Sequence, residues 1–555
     1  MITAARKPGR EALWIVLLLL QASLSVFLIA DQRLQRDREA RDYYEIQRDV
    51  LSEAARGGPG SVPAWAQGRA ALFTQGSLLQ NALHLVARPL SGWNFLPLFY
   101  LGLFVDELIF LLGVWLLARR FFSDPRSAFF VTVAALGSSL WVNHPWMNFR
   151  IFYALPLTIH LARRFLNTGS PWTLAAVLNL QALQALGSPP GLFFMTPVAA
   201  ALVLAGTSLI LNEPAREAWK SIRWSRRHSL AALAGLAAWI PVAVVAYSRA
   251  DGPLRSEPGS FGGVALAFAG LDAPACLLDL VLGIAPTMDS TLFCGFFTLG
   301  FAILGFARLD PKKSLRLLGA AAAGIVLLSL LAALSFRCFP SLHGARPSAA
   351  GAPLLRLIFV FLAGAGFDAA LQRRPAPRNV AGSVAAGLLV LAVALVAVSS
   401  WVQHAQRPVH GGAAVFAPQR PEALSRVFQT SVLAELLDSS ALGAALAGGG
   451  LLLLHSRART VPLAIALILF LHPLELFGWK FRITWLMTIA ADARTAQEQR
   501  LPTPPASPGA SLRSGGLVES GCLAFLGLNS LAWISWTLGR AGRFQVPAEQ
   551  EVRIG

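Results

Sequence analysis

Apolar runs of about twenty residues recur along almost the whole chain, and this spacing constrains the fold more than any motif does. A helix rises about 1.5 Å per residue, so roughly 20 apolar residues cross the hydrocarbon core of a bilayer. Candidate spans lie at 12–30, 96–118, 127–143, 150–166, 172–187, 191–211, 230–248, 291–308, 315–335, 353–371, 380–402, 440–455, 461–478 and 518–537. Only 14% of the residues are charged, against about 25% in soluble domains. The expected fold class is all-α: a polytopic transmembrane helical bundle of about 12–14 spans with a structured first outer loop.

The net charge of +18 does not point to nucleic acid. Basic residues cluster in short connections: Arg119/Arg120, Arg163/Arg164, Arg216 to Arg227, Lys312/Lys313, Arg373/Arg374 and Arg457/Arg459. These alternate with less basic connections, as the positive-inside rule requires. The excess charge therefore sets topology and attracts anionic inner-leaflet lipid. Arg6, Lys7 and Arg10 precede the first span and no strong cleavage site follows it, so it reads as an uncleaved helix with a cytoplasmic start. That orientation places 31–95, 249–290, 336–352 and 403–439 outside.

Within the first outer loop, Tyr43, Ile46, Val50 and Leu51 share one face of an expected interfacial helix over 42–56, ended by Gly57-Gly-Pro-Gly. Residues 481–516 form a Pro/Ser-rich linker, and 517–555 hold a candidate last span and a short cytoplasmic tail. Cys276, Cys294, Cys338 and Cys522 lack metal-ligand spacing and read as small apolar packing residues. A disulfide between Cys276 and Cys338 is the alternative, if both lie outside.

Several groups have the chemistry for a site. Asp31, Asp37, Glu39, Asp42, Glu45 and Asp49 crowd the first outer loop. A carboxylate there can deprotonate an acceptor hydroxyl or ligate a divalent cation. The competing reading is a salt-bridged solvated face, since Arg33, Arg36, Arg38, Arg41 and Arg48 alternate with the acids. Asp106 and Glu107 interrupt the second span, where charge normally faces a cavity or a partner. Arg356, following Arg346 in sequence, opens the tenth span on the outer side, placed either to grip a lipid phosphate or to snorkel. His144, His343, and His472 with Glu475 fall at outer ends of spans and read as interfacial hydrogen-bonding residues. Trp65, Trp93, Trp141, Trp146, Trp401, Trp479 and Trp485 read mostly as belt anchors, with stacking on a sugar the alternative for some of them.

In order along the chain, several segments resemble YfhO-like membrane proteins of the GT-C glycosyltransferase superfamily. These are Asp42-Tyr-Tyr-Glu-Ile, Gly60-Ser-Val-Pro-Ala-Trp65, Gly68, Thr74-Gln-Gly-Ser, Leu117-Ala-Arg-Arg, Ala185-Leu-Gly-Ser-Pro-Pro-Gly, and Arg356 with Leu362-Ala-Gly-Ala-Gly-Phe-Asp368. Two departures stand out. Ser188 replaces the family's usual His, and Ala66-Gln67 replaces the usual Asn-Pro.

The resemblance implies a GT-C-like domain over 1–480, in a bacterial inner (cytoplasmic) membrane, with its site facing outward. Such an enzyme moves a sugar from a polyprenyl-phosphate-sugar lipid to an extracytoplasmic acceptor. By position, Asp42 matches the family acid, with Asp31 a second candidate. Arg356 and Arg346 would bind the phosphate, and Tyr43 and Trp65 would line the substrate site. No cofactor is required by this reading, although neighbouring acids are suited to Mg²⁺ or Mn²⁺. Membrane lipid and envelope proteins are the expected partners. Two alternatives stay open: a non-catalytic scaffold subunit of an envelope assembly, favoured by the diffuse motifs and the Pro/Ser-rich tail, and a lipid or sugar transporter, favoured by Asp106 and Glu107.

Overall fold

A computed structural model describes residues 9–24, 26, 95–122, 124–137, 154–186, 195–211, 222–237, 239, 293–320, 352–372, 378–405, 430–455 and 460–478. Among these residues there are 13 helices and no strands. In chain order they are α1 (Gly9–Leu24), α2 (Phe95–Phe121), α3 (Pro125–Gly137), α4 (Leu155–Thr168), α5 (Pro171–Leu186), α6 (Met195–Leu211) and α7 (Arg226–Ala237). The series continues with α8 (Phe296–Ala307), α9 (311–320), α10 (Ala352–Leu371), α11 (Arg378–Ala405), α12 (Thr430–His455) and α13 (Val461–Gly478).

Each candidate span from 12–30 through 461–478 overlaps one of these helices. Among the described residues, 4 helices have both the length and the hydropathy to cross a bilayer: Phe99–Phe121, Val380–Val402, Leu436–Leu454 and Val461–Gly478. The first outer loop, the linker and the last candidate span lie outside the described residues.

Local chemistry explains where several helices start and stop. At α3, Pro125 takes the first helical position, where its missing N–H costs nothing, and Asp124 Oδ1 accepts the Arg126 N–H at 2.9 Å. Arg126 also forks onto both oxygens of Asp124, with Nη2 to Oδ2 at 2.5 Å. α4 ends at Gly169, whose φ of 60° lets its N–H reach back to the Phe165 carbonyl. The Gly169 carbonyl is in turn met by His228 Nε2 of α7 at 2.6 Å, while His228 Nδ1 accepts from the Ser225 N–H. That pair of contacts fixes the Nε2–H tautomer and ties α7 to the α4–α5 turn.

The core is aromatic and closely packed. Phe130 of α3 stacks on Phe367 of α10 at 4.7 Å and meets Phe301 of α8 edge-on at 5.5 Å. Trp14 of α1 packs on Phe129 at 4.9 Å. α8 and α10 cross where Gly305 lies on the Leu362 carbonyl and Gly366 on the Phe301 carbonyl. Any larger side chain at these two positions would run into backbone, so small residues set this close approach. α11 is the contrasting case: Val390, Val393, Val396 and Trp401 recur on an exposed, uncovered face. On a helix of this hydropathy, such a face is suited to lipid.

Candidate functional site

The site is built around α13. His472 and Glu475 are three residues apart, so a helix presents both on one face. Between them, Pro473 carries no N–H and removes one bond from the helical ladder at that turn. Both side chains turn into the bundle rather than toward an interface. His472 is 1% exposed and the Glu475 side chain 8%. α3, α8 and α12 cover the face they occupy.

Glu475 holds the start of α8. Its Oε1 accepts the Phe296 N–H at 2.5 Å. The residue at the head of that helix is Gly295, which has no side chain to cap it. A carboxylate brought from another helix supplies the missing acceptor and complements the positive end of the α8 dipole. Two glycines make the room. Gly295 has φ 87°, and a Cβ there would come within 2.8 Å of Glu475 Oε2. A Cβ on Gly443 of α12 would meet the Phe296 ring at 2.8 Å and Glu475 Oε1 at 3.1 Å.

His472 stands between a hydroxyl and this carboxylate. Its Nε2 is 3.4 Å from Thr298 Oγ1, and its Nδ1 is 3.6 Å from Glu475 Oε2. The ring stacks on Phe130 at 4.6 Å and meets Phe297 edge-on at 6.1 Å. The 3.6 Å separation exceeds hydrogen-bond range, so among the described residues Nδ1 and Oε2 are each buried with no hydrogen-bond partner. Thr298 is itself fully buried. The row hydroxyl–imidazole–carboxylate is thus enclosed.

Other candidates separate into three groups. Asp106 and Glu107 are buried on α2 at 2% and 1% exposure, as expected for acids facing the bundle interior. Arg356 is 5% exposed on α10, so its head is enclosed rather than snorkelled into water. Asp31, Asp42, Tyr43, Trp65, Arg346, His144 and His343 lie outside the described residues. Cys294 is buried, in keeping with a packing role; the other three cysteines are outside the described residues. Among the described residues no group of three or more His, Cys, Asp or Glu could hold a metal ion.

Arg163 departs from its sequence reading. Paired in sequence with Arg164, it reads as a connecting-loop charge, yet it lies inside α4 and is 3% exposed. Its Nη2 donates to Ser208 Oγ at 2.8 Å and to Thr207 Oγ1 at 3.3 Å, and its guanidinium sits 4.4 Å above the Phe121 ring. Arg164, its neighbour, is exposed.

No family model, curated protein or solved structure matches the chain. The resemblance to GT-C enzymes therefore rests on the sequence motifs alone.

Proposed function

We propose that this chain is a membrane glycosyltransferase that moves a sugar from a polyprenyl-phosphate donor to an extracytoplasmic acceptor. In this reading the acceptor hydroxyl attacks the anomeric carbon while Asp42, or Asp31, takes its proton. The bond from that carbon to the phosphate oxygen breaks, and polyprenyl phosphate leaves with the electron pair. Arg356 steadies the phosphate through its fork of donors. The observation that supports this reading is the burial of Arg356 to 5% exposure on α10. An arginine kept only for snorkelling would hold its head in water; an enclosed guanidinium is suited to a phosphate that enters the bundle. The test is sugar transfer by the full-length protein in vesicles, over a panel of labelled polyprenyl-phosphate sugars. Transfer by the wild type that Arg356→Gln reduces at least tenfold would support the reading; no transfer with any donor would overturn it.

A second reading, a lipid or sugar transporter, draws on Asp106 and Glu107, both enclosed within α2. Uptake of a sugar or lipid into vesicles, without transfer and lost in Asp106→Asn, would favour it over the first.

A further inference from the structure

We propose that Arg120 and Arg164, with His160 between them, form a site for a phosphate group where α2 and α4 end, the surroundings favouring a lipid headgroup over a free phosphate. The inference stands apart from the sugar-transfer reading and uses none of its residues. It begins with the way the two helices meet. They run side by side in the same direction, and a Cβ on Gly113 of α2 would come within 2.5 Å of the Leu157 N of α4. One turn further on, the His160 ring hydrogen-bonds to the Leu116 backbone. The charges of Arg120 and Arg164 both act on that ring, as they must when the same register continues for another turn.

Two pairs of adjacent arginines therefore meet, Arg119-Arg120 from α2 and Arg163-Arg164 from α4. In each pair the first arginine is spent within the fold. Arg119 Nη1 donates to the Phe122 carbonyl at 3.1 Å, and Arg163 reaches Ser208 and Thr207 of α6. The second arginine of each pair is left over. Among the described residues neither Arg120 nor Arg164 has an acidic partner, and Arg120 Nε and His160 Nδ1 are buried with no hydrogen-bond partner. Asp124, the acid that follows α2 in sequence, is taken up by Arg126. Two guanidiniums with no acid between them repel one another, and the negative ends of the two helices offset only part of that. A phosphate supplies what is missing: oxygens for both forks and a charge of the right sign.

The level of the site selects the lipid. α4 ends at Gly169, whose carbonyl is held by His228, and the Trp224 ring lies 5.5 Å from the His228 ring. Trp172, in the first turn of α5 just past that end, is 83% exposed, and Trp224 is 51% exposed. Exposed indoles at the ends of apolar helices mark the headgroup level of a bilayer. Arg164 is exposed roughly one and a half turns before Gly169. A basic pocket between helices at that depth is placed for an anionic headgroup.

The test follows lipid retention by the full-length protein in detergent, read as mass steps by native mass spectrometry during titration with phosphatidylglycerol or phosphatidylcholine. Saturable binding of phosphatidylglycerol, tighter than that of phosphatidylcholine, is expected, weakened about tenfold or more in Arg120→Gln and in Arg164→Gln. The double variant Lys312→Gln, Lys313→Gln removes an equally basic pair from another connection and should leave this binding unchanged. Inorganic phosphate separates the two sources. Lipid retained in its presence makes the ligand a headgroup; lipid released by it, only where both arginines are intact, makes the ligand a free phosphate on the same site. Equal weakening by the lysine variant would overturn the proposal, since it would reduce the effect to general surface charge. So would phosphatidylcholine bound as tightly as phosphatidylglycerol, or wild-type binding in both arginine variants. If Arg120→Gln fails to fold, the exposed Arg164 decides alone: wild-type binding in Arg164→Gln would overturn the proposal.

Discussion

Two kinds of carboxylate sit in this bundle, and they are satisfied very differently. Asp124 and Asp368, both at helix ends, use both oxygens. Asp124 takes the fork of Arg126 and the capping N–H. Asp368 accepts from Ser127 Oγ at 2.8 Å and from Gln372 Nε2 at 2.5 Å, joining α3 to the last turn of α10. Glu475, far more enclosed, makes one short bond and leaves its second oxygen empty beside a histidine. The first arrangement is what stability alone produces: partners are close and nothing is spare. The second leaves a buried oxygen without a hydrogen-bond partner among the described residues, where burial makes that expensive.

The largest effect should come from closing the space that separates the two kinds of site. Gly366→Leu would push a side chain into the Phe301 carbonyl, separating α8 from α10 and disturbing both Asp368 and Phe301. A loss of about 3 kcal/mol or more is expected, typical of severe overpacking, read as a lowered unfolding temperature in detergent. Wild-type stability in this variant would mean that the close crossing is dispensable.

The comparison itself is sharpened by Asp368→Ala beside Glu475→Gln. Asp368→Ala removes two bonds to a charged acceptor and should cost about 2–3 kcal/mol. Glu475→Gln keeps a carbonyl for the Phe296 N–H and loses only a partly satisfied charge, so about 1 kcal/mol or less is expected. The opposite order in paired thermal melts would show Glu475 to be the structural carboxylate. The smallest change is Asp124→Ala, which removes the α3 cap and should cost about 1 kcal/mol. An effect below the resolution of the melt would mean that water replaces the cap.

Much of this was legible along the chain because it is local. The apolar runs locate the helices; of the runs at 230–248 and 315–335 the described residues are 230–237 with 239, and 315–320, all helical. What could not be read is who meets whom across the fold. Thr298 lies 174 residues before its histidine, and Arg163 finds its hydroxyls 44 and 45 residues downstream. No periodicity encodes those distances. For the same reason Arg163, one of two adjacent arginines, looked like a topology signal when only Arg164 remains exposed. Gly295 and Gly443 gave no sign of their role either, because a glycine that makes room for a distant carboxylate looks like any other glycine.

The proposed activity meets its most direct test in sugar transfer by the full-length wild type and its Asp42→Asn variant, reconstituted side by side with a labelled polyprenyl-phosphate sugar. Transfer by the wild type that falls at least a hundredfold in the variant, with folding intact, is the predicted result, in keeping with the rate lost when a general base is removed. Equal transfer by both proteins would contradict the assignment of Asp42, and transfer by neither would contradict the enzyme.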